Sequence, residues 1–103
     1  MRILFVCSMG LHRSRTAAHL FGKDHDTRYA GASSPDNPVT KDDLDWADEV
    51  VVMEDHHRRE IGQRFPKRYL QKRITCLDIP DRYLYGDTNL VQLLKERFPK
   101  RKA

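Results

Sequence analysis

The sequence predicts a single α/β domain, residues 1–103, built on a four-stranded parallel sheet with helices on both faces. Short apolar runs alternate with segments of helical periodicity, and this order favours parallel strands joined by right-handed crossovers. The 103 residues (12.1 kDa) allow one domain with one small core. No repeat, linker or low-complexity segment interrupts the alternation.

The first half of the chain holds two strands and two helices. Residues 3–6 are four consecutive apolar residues, which suit a strand covered on both faces. Apolar residues with helical spacing predict a helix over 13–23. Residues 28–32 form a short second strand that ends in a turn-rich segment. Thr40 is placed to cap a helix that continues through Trp46.

The second half repeats this order. Residues 49–53 are the clearest β-branched run and predict the third strand. A basic helix over 55–64 ends before Pro66, which cannot continue it. Residues 74–77 predict the fourth strand, and 88–98 carries apolar residues on one side of a last helix.

The composition excludes several classes of protein. Hydrophobic residues make up 39% of the chain and charged residues 33%, which is polar for a globular protein but too regularly patterned for a disordered one. No apolar run approaches the roughly 20 residues that cross a bilayer, so we expect no membrane contact. Two cysteines, Cys7 and Cys76, are too few for a secreted disulfide scaffold. We expect both as reduced thiols in a cytoplasmic protein.

Basic residues are concentrated in the second half of the chain. The net charge is +4, and residues 58–73, which we call the basic segment, hold seven basic residues and one acid, Glu60. Such a segment can attract a polyanion. The alternative is an ordinary solvated helix face, together with a basic tail at 100–102.

The most informative stretch is residues 7–14, the 7–14 loop, between the first strand and the first helix. It places five residues between Cys7 and Arg13, followed by Ser14. A loop that enters a helix here can point its N–H groups inward as an anion site, to which the helix N-terminus adds positive potential. Arg13 supplies a planar fork that matches two phosphate oxygens, and Gly10 permits a left-handed backbone.

A cysteine at the bottom of this anion site is favoured as a thiolate, and Ser14 can donate a hydrogen bond to the sulfur. The alternative is that Cys7 is a small buried residue that ends a strand. Six further residues of the loop are candidates for binding or supporting phosphate: Ser8, Met9, Gly10, Leu11, His12 and Ser14.

A phosphate ester needs a proton on its leaving oxygen, so a carboxylic acid is expected near the thiolate. The loop at 77–87, the acid loop, offers Asp78, Asp81 and Asp87. Spacing does not choose among them, and all three are candidates for turn or cap residues, Asp87 especially. The loops after the first, third and fourth strands should meet at the carboxyl edge of the sheet.

These residues resemble the low-molecular-weight protein tyrosine phosphatases, in particular a compact bacterial branch. The resemblance spans residues 2 to about 98 and implies a flavodoxin-like, low-molecular-weight phosphatase-like fold. Five matching stretches carry it: Ile-Leu-Phe-Val-Cys at 3–7, Cys7 with Arg13-Ser14, Ala30-Gly31, Val51-Val52-Met53-Glu54, and Ile79-Pro80-Asp81-Arg82-Tyr83.

The resemblance implies a role for each matching residue. Cys7 is the nucleophile, Arg13 the phosphate and transition-state ligand, and Ser14 the group that stabilises the thiolate. Asp81 is the general acid, with Asp78 as the alternative, and Tyr83 lines the mouth of the pocket. Three positions depart from the family pattern: Gly10 replaces an asparagine, His12 a frequent second cysteine, and Arg82 a proline.

We therefore expect a metal-independent phosphate monoester hydrolase that acts through a phosphocysteine, on a phosphorylated protein or a small phosphomonoester. Phosphotyrosine-type substrates are favoured, and no cofactor is expected. His56 and His57 are adjacent on a predicted helix, so they point to different faces and make a poor chelate. We expect both at the surface.

Three other interpretations stay open. The basic segment and the 7–14 loop can serve a nucleic-acid or phospho-ligand binding module, or an RNA or nucleotide phosphatase. Arsenate reduction is less favoured, because it recruits additional cysteines and only Cys76 is available. If Asp78 and Asp81 both point away from the loop, the protein binds phosphate without turnover.

Overall fold

A computed structural model describes residues 1–98, and this part of the chain forms four strands and five helices. The strands are β1 (Arg2–Cys7), β2 (Asp26–Gly31), β3 (Glu49–Val52) and β4 (Arg73–Cys76). The helices are α1 (Arg13–Phe21), α2 (Lys41–Trp46), α3 (Asp55–Arg64), α4 (Pro66–Gln71) and α5 (Thr88–Arg97). The predicted basic tail at 100–102 lies outside the described residues.

The four strands form one parallel sheet in the order β2-β1-β3-β4, which confirms the predicted fold class. After β1, the chain crosses over to form β2 along one edge of β1. It then crosses back to form β3 along the opposite edge of β1. In such sheets ligands bind beyond the carboxyl ends of the strands, where the order reverses. That point lies between β1 and β3.

The register aligns the carboxyl ends of the strands. Val6 is opposite Val52, and Val52 is opposite Cys76, while Cys7 is opposite Gly31 at the β2 edge. The loops that follow these strands therefore begin side by side at the same edge of the sheet. This is why residues far apart in sequence can share one site.

The alternation of side chains along β1 divides the core into two layers. Ile3 and Phe5 face α1 and α5, and pack with residues such as Leu94. Leu4 and Val6 face α2 and α3 on the opposite side. The predicted placement of helices on both faces is confirmed, and β1 is buried on both sides as its apolar run indicated.

Helix α4 was not predicted. The sequence analysis took Pro66 as the end of α3, but Pro66 is also the first residue of α4. Proline suits the first helical position, because its missing N–H would have had no partner there. No residue of α4 is buried, so no apolar periodicity marked it.

The predicted Thr40 cap is confirmed. Its hydroxyl accepts the Asp43 N–H at 3.1 Å, and the Asp43 carboxylate accepts the Thr40 N–H at 3.1 Å, forming a reciprocal capping box. Among residues 1–98, no helix is both long and apolar enough to cross a bilayer.

The packing of α5 predicts a sharp contrast between two leucines. Leu94→Ala should lower the free energy of unfolding by about 2–5 kcal/mol, because Leu94 is fully buried in the layer with α1. Leu70→Ala is the matched control, since Leu70 is 83% exposed on α4 and should change stability by less than about 0.5 kcal/mol. Urea denaturation measures both. Equal losses would contradict this account of the core.

Candidate active site

The 7–14 loop turns its first carbonyls outward. The Ala32 N–H donates to the Cys7 carbonyl at 2.8 Å, and the Ser33 N–H donates to the Ser8 carbonyl at 2.9 Å. The segment after β2 thus occupies these acceptors. Inside the loop, the Gly10 N–H donates to the Cys7 sulfur at 3.2 Å. At least this amide is therefore directed to the side on which the sulfur lies.

Gly10 is required on two grounds. Its φ of +69° is left-handed, as the sequence predicted, and a Cβ there would lie 2.8 Å from backbone atoms of Ala30 and Gly31. Gly31 is equally constrained, because its own Cβ would lie 2.5 Å from the Met9 carbonyl carbon. The loop therefore rests directly on the end of β2.

Cys7 is buried at the end of β1, with Sγ 3.1 Å from the Ser14 hydroxyl oxygen. That oxygen is also 3.4 Å from the Ala30 carbonyl. A Cys7 thiolate would receive hydrogen bonds from Ser14 and from the Gly10 N–H. A Cys7 thiol can donate to Ser14, which then donates to Ala30. The site thus accommodates both protonation states.

Arg13 begins α1, and its side chain is only 1% exposed. Its Nη1 donates to Glu54 Oε1 at 2.6 Å and to the Ile79 carbonyl at 2.8 Å. Glu54 follows β3 and Ile79 follows β4. One guanidinium therefore joins the three loops that the sequence analysis expected to meet.

Glu54 serves both a helix and the site. It is the N-cap residue of α3, and its carboxylate is an ion-pair partner of Arg13. Burial alone would raise the pKa of Glu54, but the hydrogen bond and charge of Arg13, with a smaller contribution from His56, hold it below its ordinary value. Glu54 is thus a carboxylate at neutral pH.

The three acid-loop carboxylates have different surroundings. Asp81 Oδ1 lies 3.7 Å from Arg13 Nη2, and the Asp81 side chain is 66% exposed. Asp87 caps α5 by accepting the N–H groups of residues 89 and 90 at 2.7 and 3.3 Å, which confirms the suggested cap. Asp78 is exposed with a left-handed φ of 58°. Among the three, the structure pairs Asp81 with Arg13.

A hydrogen bond from the acid loop to His12 connects this loop to the start of α1. The sequence analysis did not predict this contact. His12 Nδ1 accepts the Tyr85 N–H at 3.1 Å. Next to it, the Thr16 hydroxyl accepts the Gly86 N–H at 3.0 Å and donates to the His12 carbonyl at 2.7 Å. The acid loop is thereby held beside the 7–14 loop.

Two tyrosines of the acid loop differ in their surroundings. Tyr83 is half-buried and packs against the core layer of α1 and α5, so its role at a pocket mouth stays a prediction. Tyr85 is more exposed, with the Arg15 guanidinium 4.2 Å from its ring centroid and His19 Nδ1 3.3 Å from its hydroxyl.

The rim of the 7–14 loop is apolar. The side chains of Met9 and Leu11 are 43% and 52% exposed. An open cleft of about 640 Å³ adjoins Gly10 and Leu11 and extends along β2. The cleft itself is lined largely by polar and charged residues, among them Arg28 and Asp43.

The expectation that both neighbouring histidines lie at the surface is wrong for His57, which is fully buried. His56 is partly exposed, and its hydrogen bond to Glu60, opposed by burial and helped by Glu54, raises its pKa. Ligand atoms of Glu54, His56 and His57 lie within 4.8 Å of one another. Both ring nitrogens of His57 already bond to protein groups, so we propose no metal centre there.

The basic segment is largely paired within the protein. Arg59 lies 2.7 Å from Asp55, and Arg68 makes two contacts with Asp45 at 2.8 and 3.3 Å. Arg64 and Lys72 donate to backbone carbonyls at 3.0 and 2.6 Å, respectively. The carboxylates of Asp55 and Asp45 offset part of the positive charge of this segment, and contact with a polyanion stays a prediction.

Comparison with known proteins was made on the sequence and on the structure. The sequence matches no protein-family model and no curated protein. A low molecular weight protein tyrosine phosphatase from T. tengcongensis superposes with a TM-score of 0.73 at 24% identity, covering 93% of this chain and 91% of its own. The YwlE arginine phosphatase from Geobacillus stearothermophilus superposes with a TM-score of 0.71 at 23% identity, and the match covers 92% of this chain and 84% of that one.

A third similar structure is the tyrosine phosphatase Wzb from Escherichia coli K30 in complex with phosphate. Its TM-score is 0.68 at 19% identity, and the match covers 96% of this chain and 94% of that one. The predicted low-molecular-weight phosphatase-like fold is confirmed. The protein thus has the fold of the low molecular weight protein tyrosine phosphatases.

Proposed function

We propose that the protein is a metal-independent phosphate monoester hydrolase that acts through a phosphocysteine intermediate. One observation carries the proposal: a buried arginine, fixed by Glu54 and Ile79, shares a short loop with a cysteine sulfur that already receives an amide N–H. This combination suits a tetrahedral oxyanion bound over a nucleophile. The similar structures of phosphatases support it.

In the first step, the Cys7 thiolate attacks phosphorus in line with the leaving oxygen. The S–P bond forms as the P–O bond breaks, and a protonated Asp81 gives its proton to the leaving oxygen. Asp81 lies at the open side of the site, beside Arg13 Nη2.

Arg13 stabilises the charge that develops on the equatorial oxygens. Its Nη1 is committed to Glu54 and Ile79, so the edge formed by Nη2 and Nε is the one for phosphate. The inward amides of the 7–14 loop bind the other oxygens. Preorganised donors of this kind usually supply the largest catalytic contribution.

In the second step, water attacks the phosphocysteine. Asp81, now a carboxylate, takes a proton from the water as the new P–O bond forms and the S–P bond breaks. The Ser14 hydroxyl, 3.1 Å from Sγ, donates to the departing thiolate. Inorganic phosphate leaves and the enzyme is regenerated.

The apolar rim favours aryl phosphates, and hence phosphotyrosine in a protein or a small phosphomonoester. Phosphoarginine is the alternative suggested by the YwlE structure, but its cationic guanidinium fits poorly against Met9 and Leu11. The ion pairs of Arg59 and Arg68 reduce the charge that the basic segment could offer to an RNA substrate. Arsenate reduction is disfavoured because burial raises the pKa of Cys76, the remaining thiol.

We also propose a cytoplasmic location, because the mechanism requires reduced Cys7 and the cytoplasm keeps thiols reduced. Asp81 is proposed as the general acid over Asp78 because its carboxyl group lies beside the site, 3.7 Å from Arg13 Nη2. Tyr83 is retained as a proposed pocket residue from the family resemblance alone.

The nucleophile is tested with 4-nitrophenyl phosphate. Cys7→Ser should abolish turnover, and Arg13→Lys should lower kcat/KM by about 10²–10³, because lysine cannot reproduce the bidentate contact. Cys76→Ser is the matched control and should keep wild-type activity. Turnover that survives Cys7→Ser would end the cysteine mechanism.

The acid is tested by changing the leaving group. Asp81→Asn should lower kcat for phenyl phosphate by about 10²–10⁴, since that leaving group needs a proton. The loss with 4-nitrophenyl phosphate should be smaller, because its phenolate leaves more easily. Asp78→Asn should have little effect on either substrate, and asparagine tolerates the left-handed backbone there. The opposite pattern would assign the acid to Asp78.

The substrate class is tested by direct competition. A phosphotyrosine peptide should show a kcat/KM at least about tenfold above that of phosphoarginine, and Leu11→Ala should reduce this preference by removing apolar contact worth about 1–2 kcal/mol. Leu70→Ala, exposed on α4, is the control for a lost surface leucine. A wild-type preference for phosphoarginine would move the proposal to that substrate.

A further inference from the structure

His57 is a buried histidine that the proposed chemistry does not use. It lies in the first turn of α3, yet its ring is directed to the 7–14 loop, where Nε2 is 2.9 Å from the Ser8 hydroxyl oxygen. It is fully buried. A polar ring removed from water in this way must have its hydrogen bonds satisfied by the protein.

The hydrogen bonds of His57 fix its tautomer. Nδ1 accepts the Glu54 N–H at 3.0 Å. An amide N–H only donates, so Nδ1 carries no proton. In the neutral ring the proton is therefore on Nε2, which donates to the Ser8 hydroxyl oxygen.

The surroundings keep His57 neutral. Burial lowers its pKa to about 4, and the positive charges of His56 and Arg13 act in the same direction, while Glu54 and Glu60 oppose them. These four groups belong to the 7–14 loop, the end of β3 and α3. At neutral pH, the Nε2–H tautomer is thus the stable form.

The Ser8 oxygen consequently faces two donors. It accepts from His57 Nε2, and Arg13 Nη2 lies 3.5 Å away on the same oxygen. Both are donors only, so the hydroxyl hydrogen of Ser8 must point away from them. Ser8 is half-buried at the mouth of the loop, beside the Arg13 edge assigned to phosphate oxygens.

We propose that His57 is a positioning residue that holds the Ser8 hydroxyl as a hydrogen-bond donor to a phosphoryl oxygen bound in the 7–14 loop. No proton is transferred, since His57 acts only by occupying the acceptor side of Ser8. The inference rests on the proposed function, because it requires that the loop binds phosphate. It adds one side-chain donor to the backbone amides and Arg13.

The test compares two replacements of His57, each of which keeps one of the two hydrogen-bonding functions of the imidazole. His57→Asn keeps an acceptor for the Glu54 N–H but does not reach Ser8. His57→Gln places an amide near the Nε2 position and can still donate to Ser8. Ser8→Ala removes the donor itself.

With an aryl phosphate, Ser8→Ala and His57→Asn should each lower kcat/KM about tenfold, the value of one hydrogen bond to a charged group. The double variant should be no worse than either single variant, because both remove the same interaction. His57→Gln should recover most of the activity. Ser33→Ala, which removes a surface hydroxyl bonded to Glu60, is the matched serine control and should change kcat/KM less than twofold.

Inorganic phosphate binding, measured by calorimetry, separates this role from a merely structural one. Ser8→Ala should weaken phosphate binding without changing the urea midpoint. Nitrogen-15 NMR of the wild type should show the neutral Nε2–H tautomer of His57 at about pH 6. The NMR measurement and the Ser8→Ala variant test the proposal even if the His57 variants do not fold.

The outcomes distinguish the two proposals. A wild type that neither hydrolyses aryl phosphates nor binds phosphate would overturn the proposed function. An active wild type with unchanged kcat/KM in Ser8→Ala, additive losses in the double variant, or a proton on His57 Nδ1 would overturn the role of His57 alone.

Discussion

The burial of one positive charge, on Arg13, is the constraint on which the site depends. An unpaired charge in a protein interior is strongly unfavourable, and pairing offsets that cost only when the geometry is good. Arg13 is satisfied by the Glu54 carboxylate and the Ile79 carbonyl. These acceptors follow β3 and β4, so the requirement to pair one guanidinium fixes three loops relative to each other.

The same hydrogen bonds hold the groups that we propose to bind an anion. Nη1 is held by protein acceptors, and the outer carbonyls of the 7–14 loop are held by the segment after β2. The donors that remain for an anion include the Gly10 N–H and the Nη2 edge of Arg13. Because they are already in place, a bound oxyanion need not reorganise them.

The sequence predicted the parts of this structure that are local. β1 and β3 are buried on both faces, so their continuous apolar runs are unambiguous. The 7–14 loop is contiguous, so its residues could be recognised together. Helix α4 buries nothing and left no pattern. The partners of Arg13 could not be read from spacing, because they lie 41 and 66 residues away and only the sheet register brings them close.

The histidines show why side-chain roles at the site were harder to predict than its backbone. The sequence analysis placed His56 and His57 on different faces of the helix, about 100° apart around the axis, and both at the surface. In the structure their ring centroids lie only 4.1 Å apart, and His57 is buried against the 7–14 loop. The two neighbours consequently have pKa values shifted in opposite directions, His56 upward beside Glu60 and His57 downward by burial. An imidazole both donates and accepts, so its role is set by partners such as Ser8, 49 residues away, that only the folded chain supplies.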